Sequence, residues 1–171
     1  MSSLRIALTR RVDGTVVFRC TRDDGTAVWQ VHERANARFF PAHDLTHFAV
    51  ETTLGYGDAF YGLTAAGWAL TDFGSPWPRG PLPPRALEVE LIVGFLDRER
   101  MDLAAGGALW TAADFATQAA AYYAEHGRRE APPLLDDPAL ERVRAARDAL
   151  LARWAAVPAG DSLTLDFRLD R

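Results

Sequence analysis

This chain contains no lysine: all 19 of its basic residues are arginine, against 23 acidic residues. The net charge of -4 lacks the basic excess that binding to a phosphate backbone requires, so we expect no nucleic-acid partner. No apolar run approaches the roughly 20 residues needed to cross a bilayer. The first residues also lack the basic and then apolar pattern of a signal peptide. These absences predict a cytoplasmic protein without a membrane partner.

Cysteine is almost absent as well. Cys20 is the only one, which excludes an intramolecular disulfide. It lies in an apolar, strand-like run without an activating neighbour, which is typical of a small buried residue rather than a reactive thiol. With 171 residues, of which 49% are apolar and 25% charged, the chain has the composition of one globular domain over residues 1–171.

Strand-like patterning and two turn signals predict an antiparallel sheet. Asp-Gly pairs at 13–14 and 24–25 mark two tight turns between apolar and β-branched runs. The predicted strands are residues 4–11, 15–22, 27–33 and 162–169. A sheet this small needs helices on its apolar face. The sequence therefore predicts an α+β fold: a four-stranded antiparallel sheet, three strands from the N-terminus and one from the C-terminus, with about five helices packed mainly on one face.

Capping residues and helical periodicity predict the helices. Pro41 suits a first turn, because its missing N–H has no intrahelical partner there, and Gly55 follows the end of that helix. Asp58 is expected to cap the next helix, and Thr111 with Asp114 to cap a later one. The predicted helices are residues 41–54, 59–70, 86–103, from the cap at 111 to 125, and from 138 to before Pro158. Five prolines between residues 72 and 85 predict a strap or a lid, in which Trp77 either fills a groove or covers a pocket beside the histidines.

The segment from residue 39 to 51 carries most of the recognisable chemistry. It holds two of the four histidines, His43 and His47, four residues apart. In a helix, such residues lie about 40° apart around the axis and about 6 Å along it, so both imidazoles could bind one divalent metal ion, zinc or another. Apolar residues surround this helix on most sides, and buried histidines need partners. The alternatives are a metal-free polar pocket built from the same residues, or histidines that only stabilise the fold.

Residues 43–47, H-D-L-T-H, resemble the H-E-x-x-H helix of the zincin metalloproteases over five positions. His43 and His47 match the ligand positions, and Asp44 stands at the position of the catalytic base with a shorter side chain. The resemblance implies metal-dependent hydrolysis with Asp44 as the base, although the later glycine and histidine of some zincins are absent. Over P-x-H-D-L-T-H-x-x-V-E, the chain also resembles uncharacterised bacterial proteins of this size, which implies only that this segment marks a family.

Helix geometry limits the ligand set on this segment. Glu51 lies about 12 Å from His43 along a straight helix, so the two cannot bind one ion at bond lengths of about 2 Å. We predict instead that Glu51 orients His47 as an outer carboxylate. A third ligand must come from another element. The candidates are His32, Asp58, Asp72 and Glu88, with His126 the weakest.

Two functions follow from these patterns. The first is a small metal-binding protein that acts as a metal-dependent hydrolase, with His43 and His47 as ligands, Asp44 as base and Glu51 beside His47. The second is a non-enzymatic binding or protein-interaction module, in which the histidines are structural or line a ligand pocket. Neither the substrate nor a small-molecule or protein partner is specified by the sequence.

Overall fold

A computed structural model describes residues 3–129 and 135–168. Its sheet contains β1 (Ser3–Arg10), β2 (Val16–Arg22), β3 (Ala27–His32) and β4 (Ser162–Arg168). All neighbouring strands are antiparallel, in the order β3-β2-β1-β4. The predicted α+β fold, with three N-terminal strands and one C-terminal strand, is confirmed. Leu169, the last residue of the predicted fourth strand, lies outside the described residues.

The alternation of the strands sends one face of the sheet into the core. Ile6 lies opposite Cys20 on one side and Leu165 on the other, and all three are buried. On the opposite face, Trp29 is 60% exposed. Burial raises the pKa of the Cys20 thiol, which fits the predicted small buried residue. The helices therefore cover one face of the sheet, as the apolar pattern predicts.

Five helices and one short 3₁₀ turn complete the described fold. The helices are α1 (Arg34–Leu54), α2 (Phe60–Ala65), α3 (Pro84–Ala104), α4 (Ala112–Glu125) and α5 (Asp137–Ala155), with the 3₁₀ turn at Leu70–Phe73. Thr111 caps α4 by accepting from the N–H of Asp114, as predicted. In the described part of the chain, no helix is long and apolar enough to cross a bilayer.

The prediction that Pro41 begins a helix was wrong. Helix α1 begins seven residues earlier, at Arg34, and Pro41 is buried inside it. Proline there removes one backbone hydrogen bond to Ala37. The helix continues because α1 packs against the sheet, α3 and α5, and burial of its apolar side chains outweighs that loss. Tertiary packing, rather than local preference, sets this boundary.

The prediction that Asp58 caps a helix over residues 59–70 was also wrong. Helix α2 begins at Phe60 without a side-chain cap from its own sequence neighbours, and it ends at Ala65. Its Tyr61 N–H donates to the Glu51 carboxylate, 2.9 Å away on α1. Glu51, on a different helix, therefore caps α2 in place of the predicted Asp58.

Helix α1 separates two apolar cores. Leu45 and Ala49 pack with the inner face of the sheet and with α2. Val50 packs instead with α3, α4 and α5, where Val89 and Leu96 are completely buried. His47 of α1 lies between Phe60, which packs against the first core, and Glu90 of α3.

Candidate metal site between the first and third helices

Both histidines of α1 lie on one side of the helix. The ring centroids of His43 and His47 are 4.8 Å apart, and the rings meet edge to face. The His47 side chain is only 3% exposed, whereas that of His43 is 21% exposed. The prediction that the two imidazoles converge is confirmed.

The third group of the site is Glu90, on α3. One ligand atom each from His43, His47 and Glu90 lies within 4.8 Å of the others. Glu90 Oε2 lies 3.6 Å from His47 Nε2. Ligand atoms around a zinc ion bonded at about 2.0–2.2 Å lie about 3–3.5 Å apart, so side-chain shifts of about 1 Å bring these atoms into bonding range. The three residues can hold a metal ion.

A carboxylate stands behind each imidazole. His43 Nδ1 and Asp97 Oδ2 form a hydrogen bond of 2.7 Å. His47 Nδ1 lies 3.6 Å from Glu51 Oε1, which is longer than a hydrogen bond. These contacts occupy the Nδ1 side of each ring and leave Nε2 for the centre of the site, as in carboxylate–histidine–metal arrangements. Glu51 therefore lies where the sequence predicts an orienting partner for His47, although its role stays a prediction.

The charges of the site favour a bound cation. Burial disfavours the imidazolium of His47, but the carboxylates of Glu90 and Glu51 outweigh burial and raise its pKa to about 10. Burial alone would raise the pKa of Glu90, but the two histidines hold it below its usual value. For Glu51, burial prevails and its pKa is raised. Without a metal, a proton on His47 supplies the positive charge beside the Glu90 carboxylate.

The side chain of Asp44, the predicted base, lies beside β3 and is not part of the metal group. Its Oδ2 lies 3.6 Å from His32 Nε2 on β3 and accepts no hydrogen bond. His32 stacks on Phe40 of α1, with the ring centroids 4.8 Å apart, and the Gln30 amide lies 3.3 Å from His32 Nε2. Asp44 nevertheless lines the same cavity as the metal group, and its role as a base stays a prediction.

None of the four candidate third ligands joins the metal group found among the described residues. His32 pairs with Asp44, and Asp58 is exposed on the loop before α2. Asp72 and Glu88 form ion pairs with arginines, each at 2.7 Å. His126, the weakest candidate, stacks on Tyr122 at the end of α4.

The sequence does contain a signal for Glu90. Glu90 and Asp97 are seven residues apart, which places them about 20° apart around a helix axis. Both interrupt a stretch of α3 whose neighbouring residues Val89, Ile92, Val93 and Leu96 are apolar and buried. Two acids in register beside these buried apolar residues indicate a partner of opposite charge, here the histidines of α1.

A cavity of about 270 Å³ opens beside the metal group. Its apolar walls are Phe40, Phe60, Leu70 and Phe73, and its polar lining comprises Gln30, His43, Asp44, His47, Glu90 and the backbone of Gly74. The Pro-rich segment thus reaches the cavity through its first residues. Trp77 is 43% exposed, and its backbone has the left-handed φ of 59°.

Two imidazoles and one carboxylate beside an open cavity form a donor set that occurs in catalytic zinc sites, where the fourth position holds water. The same set with further open positions is typical of non-haem iron sites. Comparisons with protein-family models, with curated proteins and with solved structures found no match to this chain. Its function is therefore argued from its own geometry.

Proposed function

We propose that this protein is a metal-dependent hydrolase whose ion, zinc or a similar divalent metal, is bound by His43, His47 and Glu90. The observation that supports this most is the convergence of the three ligand atoms within 4.8 Å at the wall of a cavity of about 270 Å³. A metal bound there supplies a water molecule whose pKa is lowered to about 7, which makes it a nucleophile at neutral pH.

The surrounding residues have distinct roles in this proposal. Asp97 holds His43 through its Nδ1, and Glu51 sets the direction of His47. Asp44 lines the cavity without being part of the metal group, so it is the carboxylate left to accept the proton of the attacking water. The Phe40, Phe60 and Phe73 rings exclude bulk water from the reacting groups.

Metal stoichiometry tests the ligand set. Protein purified without a histidine tag is titrated with zinc, manganese, iron and nickel by calorimetry, in parallel with Glu90→Gln and Glu88→Gln. We expect one ion per chain, affinity at least about tenfold weaker in Glu90→Gln, and unchanged affinity in Glu88→Gln, which lies on the same helix but pairs with Arg85. Substoichiometric metal with no titratable binding would overturn the proposal.

Hydrolysis of p-nitrophenyl acetate tests the reaction. The metal-loaded protein should cleave this ester, and chelation should abolish the activity. Asp44→Asn should keep its metal and lose about 10²-fold in rate, the usual contribution of a positioned base. Asp161→Asn, an exposed site, is the control of equal charge change. Equal rates in both variants would remove Asp44 from the mechanism.

A second candidate is a binding module that works without metal. It is favoured by one observation: the His47 imidazole lies 3.6 Å from both Glu51 and Glu90, so a protonated ring balances the buried acids by itself. A double variant, His43→Ala with His47→Ala, decides between the two. Equal stability loss with and without added metal supports the binding module, whereas a loss that grows when metal is present supports the hydrolase.

A further inference from the structure

The lining of the cavity constrains the charge of any molecule that enters it. Although the chain has 19 arginines, none is among the described residues that line the cavity. With the proposed metal bound to neutral imidazoles, the charged side chains there are the acids Asp44 and Glu90, with Glu51 and Asp97 directly behind the histidines. Asp97, behind His43, is already paired with Arg100 at 3.4 Å. On the cavity wall itself, a carboxylate or phosphate substrate would meet Asp44 and Glu90 and no basic side chain other than the histidines. The cavity is therefore unsuited to anions.

Asp44 is the acid that the proposed metal leaves unneutralised. The residue is 4% exposed, and its Oδ2 is buried without a hydrogen-bond donor. The closest basic group, His32 Nε2, lies 3.6 Å away, beyond hydrogen-bonding distance. A buried carboxylate oxygen without a donor is costly, and a positively charged N–H group brought to the Asp44 carboxylate at the cavity wall offsets part of that cost.

The remaining walls fit the body of such a ligand. Phe40, Phe60 and Phe73 present aromatic surface, and Leu70 adds an aliphatic contact. Aromatic rings attract cations through their faces as well as burying apolar groups. The Gln30 amide adds a neutral polar contact beside His32. Apolar walls and one buried acid whose Oδ2 accepts no hydrogen bond match an ammonium group that carries an apolar substituent.

We propose that the substrate class of this site is a small organic cation: a primary ammonium compound with an alkyl or aryl body, whose charge is bound by Asp44. This inference rests on the proposed metal-dependent hydrolase and names what that site accepts. In this inference, Asp44 binds the ammonium group of the substrate in addition to accepting the proton of the attacking water.

Three probes of matched shape test the charge preference on the zinc-loaded protein at pH 7. They are 2-phenylethylamine, 2-phenylethanol and 3-phenylpropionate, which are cationic, neutral and anionic. By calorimetry, we expect the amine to bind at least about tenfold more tightly than the alcohol. The anion should bind no better than the alcohol. An alcohol or anion that binds as tightly as the amine would overturn the inference, as would an amine that does not bind.

One variant assigns the preference to its residue. In Asp44→Asn, which is isosteric, the amine should bind no more tightly than the alcohol, whereas the exposed control Asp161→Asn should keep the wild-type ratio. An unchanged ratio in Asp44→Asn would remove Asp44 from the inference, and a thermal melt of each variant verifies folding. Because the wild-type comparison needs no substitution, it decides the charge preference even if Asp44→Asn does not fold.

The zinc content of the same samples separates the two proposals. One zinc ion per chain without a preference for the amine overturns the inference and leaves the hydrolase proposal intact. No zinc binding overturns the hydrolase proposal and, with it, this inference, whatever the amine does.

Discussion

Helix α3 carries two buried ionic clusters on opposite faces. Glu90 and Asp97 face the histidines of α1, whereas Glu99 faces the arginines of α5. Nine residues separate Glu90 from Glu99, which is half a revolution around a helix. Both clusters bury acids beside bases, so burial and charge alone do not distinguish them. They differ in how completely their hydrogen bonds are formed.

The arginine cluster is nearly complete. Glu99 is fully buried, and Arg144 donates to both of its oxygens. The backbone N–H of Trp110 also donates to Glu99 Oε2 at 3.2 Å, and a guanidinium nitrogen of Arg147 lies 3.7 Å from Glu99 Oε1. Only one Arg147 nitrogen in this cluster is buried without a partner. Such a cluster joins α3 to α5 and to the chain before α4, and it leaves little for a ligand to bind.

The histidine cluster is incomplete. Asp44 Oδ2, His47 Nδ1 and Glu51 Oε1 are all buried without a hydrogen bond. Histidine and carboxylate groups are also metal ligands, unlike the guanidinium of arginine. A cavity adjoins this cluster on its open side. Incomplete bonding next to a cavity is what we expect of a site that accepts a ligand, as we propose for this cluster, rather than of one that only stabilises the fold.

The largest effect should come from breaking the complete cluster. Glu99→Ala leaves Arg144 and Arg147 buried without their acid, so we expect the free energy of unfolding to fall by about 3–5 kcal/mol. Urea unfolding should give the same loss with and without metal. Glu141→Ala, on the exposed face of α5, is the control and should change stability by less than about 0.5 kcal/mol. A loss in Glu99→Ala no larger than in the control would remove the distinction between the clusters.

The next effect concerns the incomplete cluster. With free zinc at a hundredfold excess over its Kd, the wild-type protein should gain about 2.7 kcal/mol of stability, because zinc binds only the folded chain. His47→Ala should lose this gain, whereas His126→Ala, an exposed histidine just after the end of α4, should keep it. The measurement is chemical unfolding with and without zinc. A zinc-dependent gain that survives in His47→Ala would place the ion elsewhere.

A smaller effect is expected behind the metal ligands. Asp97→Asn keeps the shape of the side chain but weakens the 2.7 Å hydrogen bond that orients His43, so zinc affinity should fall about 10–100-fold. Calorimetric titration checks this. Asp102→Asn, exposed on the same helix, should leave the affinity unchanged. If both variants bind zinc equally well, Asp97 is a structural partner of His43 rather than a support for the metal.

The smallest expected effect is the change in zinc affinity with each unit of pH. The pKa of His47 is raised to about 10, so its imidazole is protonated at pH 7 and must lose that proton to bind metal. Zinc affinity should therefore rise with pH between 6 and 8, by up to about tenfold per unit. Calorimetry in two buffers with different ionisation enthalpies should count about one proton released per zinc. Affinity independent of pH would contradict protonated His47.

Local patterns predicted what depends on local structure. The strands follow from alternation and Asp-Gly turns, and the convergence of His43 with His47 follows from helical spacing. Glu90 was missed because its role depends on how α1 and α3 pack, which no spacing within one segment specifies. The errors at Pro41 and Asp58 have the same cause: in one case packing extends a helix past a proline, and in the other a distant Glu51 replaces the local cap.

Contacts on two opposite faces of α3 also restrict the rotation of this helix about its own axis. Side chains on a helix extend about 5–6 Å from its axis, so a turn of 10° moves them by about 1 Å. Metal sites tolerate deviations of only about 0.2 Å in their bond lengths. Because Glu99 is anchored to α5 half a revolution away, the arginine cluster limits the angle at which α3 delivers Glu90 to the histidines. If the proposed metal site exists, its geometry therefore depends on residues that do not line its cavity.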